Sequence, residues 1–168
     1  DERLLAGALS SRTRAIFPVH YGGVACDMDA VNAFAASHGF AVVEDAAQAH
    51  LAFYKGKPLG TLSALGCLSF HVTKNVVSGE GGALILNDPA LPERAYLLAE
   101  KGTNRREFLR GEAGRYEWLD VGSSYLPSDI LAALLLAQLE RGQELTDRRV
   151  AIWNRYHKAF ADAQQRGR

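Results

Sequence analysis

The order strand, helix, strand in the first third of the chain most constrains the fold. Thr13 to Val19 is a strand-like apolar run that closes on His20-Tyr21-Gly22-Gly23. Pro18 sits near its end, where a missing donor is tolerated. Asp27 is placed to cap a helix predicted through His38, with Met28, Val31, Phe34 and Ala35 on one face. Gly39 ends that helix. Phe40 to Glu44 is a second apolar, β-rich run, and Asp45 follows it directly. Apolar strands joined by a helical crossover argue a βαβ unit and a parallel sheet. Ligands of such sheets bind at the carboxyl ends of the strands.

The rest of the chain extends this pattern. Residues 46 to 65 are small and turn-rich, and Tyr54 to Gly60 reads as a surface excursion. Gly66 to His71 is predicted as a strand, and Gly82 to Asn87 as another. The connection of about ten residues between them is too short for a helical crossover, so the last strand is antiparallel to its predecessor or at an edge. Pro89 to Lys101 is predicted helical and closed by Gly102. Thr103 to Asp120 is polar, with Arg105, Arg106, Arg110 and Arg115 beside Phe108, Tyr116 and Trp118. It is either a functional or partner-facing loop or a solvated basic one. Ser128 or Pro127 starts a helix over Asp129 to Leu139, broken near Gly142. Leu145 to Ala163 is a further helix. Its stripe of Val150, Trp153, Tyr156, His157 and Phe160 is expected to pack in a core or interface rather than to hold a cofactor.

Composition excludes several classes. The chain has 168 residues, enough for one domain with a real core. Lysine plus arginine and aspartate plus glutamate number 19 each, so nothing electrostatic favours nucleic acid or an anionic membrane. No apolar run reaches the length of a membrane span. Cys26 and Cys67 make no disulfide framework and have no zinc spacing. His20, His38, His50, His71 and His157 are scattered, so no metal site is expected. A reducing cytoplasm is the natural setting. The charged opening Asp1 to Leu9, without an initiator methionine, and the polar finish Gln164 to Arg168 read as the ends of a piece cut from something longer.

Two side chains stand out at strand ends. Lys74 lies just past the third strand, in Ser69-Phe70-His71-Val72-Thr73-Lys74-Asn75, ahead of the glycine cluster Ser78 to Gly82. Asp45 ends the second. An amine held at a sheet edge can attack a carbonyl. The pair admits bland readings: a structural ion pair, or Asp45 as the cap of a turn at Ala46-Ala47. It also admits a pyridoxal phosphate site, which needs a lysine and an anion facing the ring nitrogen. In that reading Ala46 and Ala47 leave room for a flat ring, Gln48 reaches a ring oxygen and Ser69 gives its hydroxyl to the phosphate. A GxGxxG run and Walker A spacing are both missing, which argues against a nucleotide-hydrolysing loop.

Glu44-Asp45-Ala46-Ala47-Gln48, Ser69-Phe70-His71-x-Thr73-Lys74-Asn75 and Gly79-Glu80-Gly81-Gly82 together resemble the motifs of the DegT/DnrJ/EryC1/StrS sugar aminotransferases. Glu100 to Arg105 and Gly122 to Asp129 resemble the dTDP-4-amino-4,6-dideoxygalactose transaminase branch of that family. The resemblance covers nearly the whole chain. It implies part of the large domain of a type I pyridoxal phosphate-dependent transferase, an α/β fold with a mainly parallel sheet and helices on both faces. Residues 1–142 would belong to that cofactor-binding domain, and 143–168 to a helix leading toward a C-terminal small domain. It further implies Lys74 as the Schiff-base lysine, Asp45 at the pyridine nitrogen, Gln48 at the phenolic oxygen and Ser69 at the phosphate. Arg105, Asn104 and Tyr125 are the expected nucleotide-sugar contacts. Many relatives carry Asn or Arg at the loop where this chain has Ser124, Tyr125 and Leu126.

The implied activity moves an amino group from glutamate to the C4 ketone of a dTDP-4-keto-6-deoxyhexose. It would serve bacterial surface polysaccharides such as enterobacterial common antigen or lipopolysaccharide, in a cytoplasmic homodimer with shared active sites. Other readings stand beside it. One is an aminotransferase for another keto sugar. Family dehydratases replace the lysine with histidine, which Lys74 argues against. A non-catalytic module that kept the fold is another, and this segment alone is expected to be inactive because it lacks half of the pocket.

Overall fold

A computed structural model describes residues 1–166. The last two residues of the expected helix 143–168 lie outside the described residues. Four strands form one sheet in the order β1-β2-β5-β6. β1 (Ala15–Ile16), β2 (Ala41–Asp45) and β5 (Leu65–Ser69) run parallel, and β6 (Gly82–Leu86) is antiparallel to β5. The expected mixed α/β fold with a mostly parallel sheet is therefore present, and β6 is both antiparallel and at the edge.

α1 (Met28–His38) shows why its sequence is helical. The Asp27 carboxylate accepts from the Ala30 N–H at 3.1 Å. Gly39 ends the helix in the left-handed region at φ 70°, its N–H reaching the carbonyls of Ala35 and Ala36. Met28, Val31 and Ala35 bury the inner face with Val42 of β2. Each of the larger side chains contributes roughly 1.5–3 kcal/mol by leaving water. That contact fixes β2, and so the place of its last residue, Asp45.

Three expectations need correction. The first strand is much shorter than Thr13 to Val19. Pro18 has no N–H to give the ladder, and pairing resumes only at Val19, which bridges Asp45. The excursion over Tyr54 to Gly60 is a hairpin of β3 (Phe53–Tyr54) and β4 (Lys57–Pro58). Lys55 and Gly56 both take positive φ, 50° and 81°, as a two-residue turn of this hand requires. The hairpin is followed by buried Leu59, so this segment is tied to the fold.

The third correction concerns the C-terminal half. The loop after Thr103 contains a short helix, α3 (Arg105–Leu109), behind α2 (Pro92–Ala99). α4 (Asp129–Glu140) begins where Ser128 caps it, and α5 (Gly142–Gln165) follows almost at once. The stripe on α5 is not core of this chain: Val150, Trp153, Tyr156 and Phe160 are all exposed. No helix among the described residues is long and apolar enough to cross a membrane.

Gly66 shows how closely β5 is approached. A Cβ there would stand 2.1 Å from the Gly60 carbonyl oxygen, so only glycine fits. β2 and β5 pair directly side by side, with Asp45 opposite Cys67. Their carboxyl ends share one sheet edge, and β5 leaves that edge into the bend that carries Lys74.

Candidate active site

The bend after β5 is held by its own backbone. The Lys74 N–H donates to the His71 carbonyl at 2.9 Å, and Val72 donates to Gly79 at 2.9 Å. Val76 is buried beneath it. Lys74, half-buried, lines a cavity of about 240 Å³ together with Gly22, Gln48, Thr73 and Asn75. The structure thus brings Lys74 and Gln48 together. Gln48 is oriented by Gly22, whose N–H donates to its Oε1 at 2.8 Å. Gly22 takes φ 63°, a conformation open to glycine, and leaves backbone rather than side chain on that wall.

Asp45 is not among the residues that line this cavity. It stands three positions before Gln48, at the end of β2, where its Oδ1 accepts from the Ala47 N–H at 3.0 Å. The cap foreseen as a bland reading is therefore real, and it leaves Oδ2 for another partner. Burial first and the Asp45 charge second push the Cys67 thiol pKa up. Ser69 closes β5, its Oγ accepting from the His71 N–H at 3.4 Å. His50 packs edge-on against Phe70, and its burial lowers its pKa.

Beneath the edge lies a feature that the motifs did not single out. Glu44 and His20 are fully buried, with Glu44 Oε2 at 3.1 Å from His20 Nε2. His20 Nδ1 accepts from the Cys26 N–H, which assigns the proton to Nε2 and makes it the donor to Glu44. Glu44 also accepts from the N–H groups of Gly60 at 2.8 Å, Leu62 at 2.6 Å and Ser63 at 2.7 Å. One buried carboxylate thus gathers the turn before β5, the His20 loop and β2. Asp45 and His20 are joined again by their backbones, His20 N–H to Asp45 O at 3.0 Å. Glu44→Gln keeps the shape but turns an amino group toward two donors. It should cost on the order of 3–5 kcal/mol of folding stability, read by chemical denaturation of the full-length protein. A change below about 1 kcal/mol would show that the turn holds itself without the charge.

The other two motifs meet each other. Glu100 bridges Ser124, and the Lys101 N–H donates to Ser123 O at 3.1 Å. A Cβ on Gly102 would stand 1.8 Å from the Asp120 carbonyl oxygen, and one on Gly122 2.1 Å from the Gly102 nitrogen. These glycines let two chain segments cross backbone to backbone, and Arg94 pairs with Asp120 beside the crossing. Asn104 is nearly buried. Its amide nitrogen donates to Arg115 O at 3.0 Å and its oxygen accepts from Glu117 N–H at 2.8 Å. Its side chain is occupied in tying down the loop. Arg105 is half-exposed and lies 3.5 Å from Glu100 Oε2. Tyr125 is exposed, at the rim of a separate apolar cavity of about 440 Å³ under α4. Neither lines the Lys74 cavity. Among the described residues no group of three or more His, Cys, Asp or Glu could hold a metal ion.

Comparison with known proteins accounts for the arrangement. The family model for the DegT/DnrJ/EryC1/StrS aminotransferase family matches residues 1–168. The chain belongs to this family. It is similar to the spore coat polysaccharide biosynthesis protein SpsC of Bacillus subtilis, 38% identical over 163 residues. That match covers 95% of this chain and 42% of SpsC. Among solved structures, Helicobacter pylori PseC, an aminotransferase of pseudoaminic acid biosynthesis, superposes with a TM-score of 0.88 at 28% identity. It is covered over 42% of its length, by 96% of this chain. DesI, solved in the presence of its TDP-sugar product, gives a TM-score of 0.84 at 31% identity, over 96% of this chain and 39% of DesI. The chain therefore spans about two fifths of the relatives' length.

The family is one of pyridoxal phosphate enzymes, and solved relatives include PLP and PMP forms. The donor set of the Lys74 cavity fits that cofactor. It offers one primary amine, the amides of Gln48 and Asn75, a hydroxyl on Thr73 and an open glycine wall.

Proposed function

We propose that this chain carries the cofactor-binding half of a nucleotide-sugar aminotransferase site. In this reading glutamate gives its amino group to the C4 ketone of a dTDP-4-keto-6-deoxyhexose, leaving 2-oxoglutarate and a 4-amino sugar. The observation that carries it is the cavity at the carboxyl edge of the sheet, where Lys74 and Gln48 converge. Pyridoxal phosphate, when bound, supplies the electron sink that amino-group transfer needs. Lys74 Nζ is the nucleophile that tethers a carbonyl carbon and, once released, the base that lifts a proton from the donor's Cα and returns it elsewhere. Asp45, with one carboxylate oxygen beyond its cap bond, presents the negative charge that keeps a ring nitrogen protonated. Gln48, oriented by Gly22, offers its amide to a ring oxygen, and Ser69 its hydroxyl to the phosphate.

For the sugar side, Arg105 is assigned to the diphosphate and Tyr125 to the base or sugar, with Asn104 fixing the loop that bears Arg105. A guanidinium suits a diphosphate by its bidentate geometry. A second subunit would complete the phosphate site. The TDP-sugar bound by DesI supports the nucleotide, and the polysaccharide role of SpsC supports the setting.

The test uses the full-length protein, glutamate and two 4-keto-6-deoxyhexoses, one on dTDP and one on UDP. Amino sugar is followed by mass spectrometry and 2-oxoglutarate by a coupled assay. The expected result is stoichiometric formation of both products with the dTDP substrate, which is preferred over the UDP one. Turnover with UDP alone would reassign the nucleotide. No turnover of either, in protein that binds cofactor, would overturn this substrate and leave an aminotransferase for another keto sugar or the non-catalytic module.

A further inference from the structure

We propose that Arg149 is a positioning residue for Lys74. Arg149 lies on α5, and its Nη1 donates to the carbonyl of Asn75 at 2.6 Å. Asn75 follows Lys74 directly and lines the same cavity. The bond joins residues 74 apart in sequence, so it is tertiary and not part of the local turn.

The bend needs such a tie. Between His71 and Gly79 the chain has no regular secondary structure. The bonds Lys74 N–H to His71 O and Val72 N–H to Gly79 O fix its first half. The second half rests on α5. At the start of that helix, a Cβ on Gly142 would stand 3.7 Å from Val76 and 3.4 Å from Leu51. Arg149 comes about two helical turns further on, on the carbonyl of Asn75, the residue after Lys74. α5 therefore touches the bend at two points and braces the stretch between them. A guanidinium donates from a rigid planar fork, so the bond has a set direction. It holds the peptide plane between Asn75 and Val76, one residue beyond Lys74, and so restrains the path of the bend that presents the Lys74 side chain. Catalytic rate depends steeply on such placement.

The inference rests on the reading of Lys74 as the reactive amine, and its test separates the two. Full-length wild type, Arg149→Gln and Arg149→Lys are loaded with pyridoxal phosphate and reduced with borohydride, and the labelled lysine is mapped by peptide mass spectrometry. The rate of labelling, the pH midpoint of the bound cofactor's visible absorbance, and kcat and KM for the keto sugar are compared. Arg149→Gln should lower the labelling rate and kcat by about tenfold, shift the midpoint and leave KM within about twofold. Arg149→Lys keeps a charged donor without the planar fork, and should show a smaller loss and a smaller midpoint shift in the same direction. Wild-type label on a lysine other than Lys74 would overturn the reading of Lys74 itself. Label on Lys74 with an unchanged rate and midpoint in folded Arg149→Gln would overturn the positioning role alone. Should Arg149→Gln not fold, Arg149→Lys decides. A shifted midpoint in that folded variant supports positioning, and a wild-type midpoint with lowered thermal stability makes Arg149 merely structural.

Discussion

Replacing Lys74 with alanine in the full-length protein should abolish amino transfer while leaving the fold intact. In the proposed function Lys74 is both nucleophile and proton carrier. General acid–base catalysis by one side chain is worth roughly 10²–10⁴-fold, so loss of both roles should exceed that range. The bend that holds Lys74 is anchored by its backbone N–H and by buried Val76, neither of which the substitution touches. Stability should stay within about 0.5 kcal/mol. The checks are steady-state turnover, thermal denaturation, and borohydride reduction followed by intact mass. Residual turnover above about one per cent of wild type would place the reactive amine elsewhere. A large drop in stability would give the lysine a packing role that the open cavity does not suggest.

Local chemistry explains what could be read from the sequence. α1 was legible because each of its signals acts within a few residues: the Asp27 cap, the face of Met28, Val31 and Ala35, and the left-handed Gly39. The antiparallel β6 was legible from the shortness of its connection to β5. Lys74 and Gln48 were legible as a pair only because a parallel sheet brings its carboxyl ends to one edge. Asp45 was legible as a strand end and as a cap: one oxygen accepts from the Ala47 N–H, and the other is free of that bond.

What stayed hidden depends on contacts between distant segments. His20 looked like one of several scattered histidines, yet it meets Glu44 in the interior. A signal existed. The period of a strand puts Glu44 on the same face as buried Val42, and a buried acid demands donors. Those donors come from Gly60, Leu62 and Ser63, which no short window contains. The Lys55-Gly56 turn was a missed local signal of a hairpin. The α5 stripe has helical spacing, which predicts a buried face but not the segment that buries it. Within this chain the face is exposed, so core packing fails and only a partner or a further segment can cover it.

Asp45→Asn in the full-length protein should separate the two roles of that carboxylate. Asparagine keeps the shape and an oxygen in the position of Oδ1, so the bond from the Ala47 N–H at 3.0 Å can persist. The charge is lost. If the charge serves a protonated ring nitrogen, turnover should fall by on the order of a hundredfold or more, a few kcal/mol of lost electrostatic stabilisation. Cofactor should still bind, and stability should change by less than about 1 kcal/mol. Asp45→Ala removes the cap as well, and should add a stability loss of about 0.5–2 kcal/mol to the same catalytic defect. The comparison is decisive because the two roles predict different patterns. A cap alone leaves Asp45→Asn near wild type in turnover and only Asp45→Ala impaired. An anion for the ring makes both variants equally slow and only Asp45→Ala less stable. Kinetics and denaturation on the same three preparations distinguish these patterns. Near-normal turnover in Asp45→Asn would confine Asp45 to holding the turn that presents Gln48.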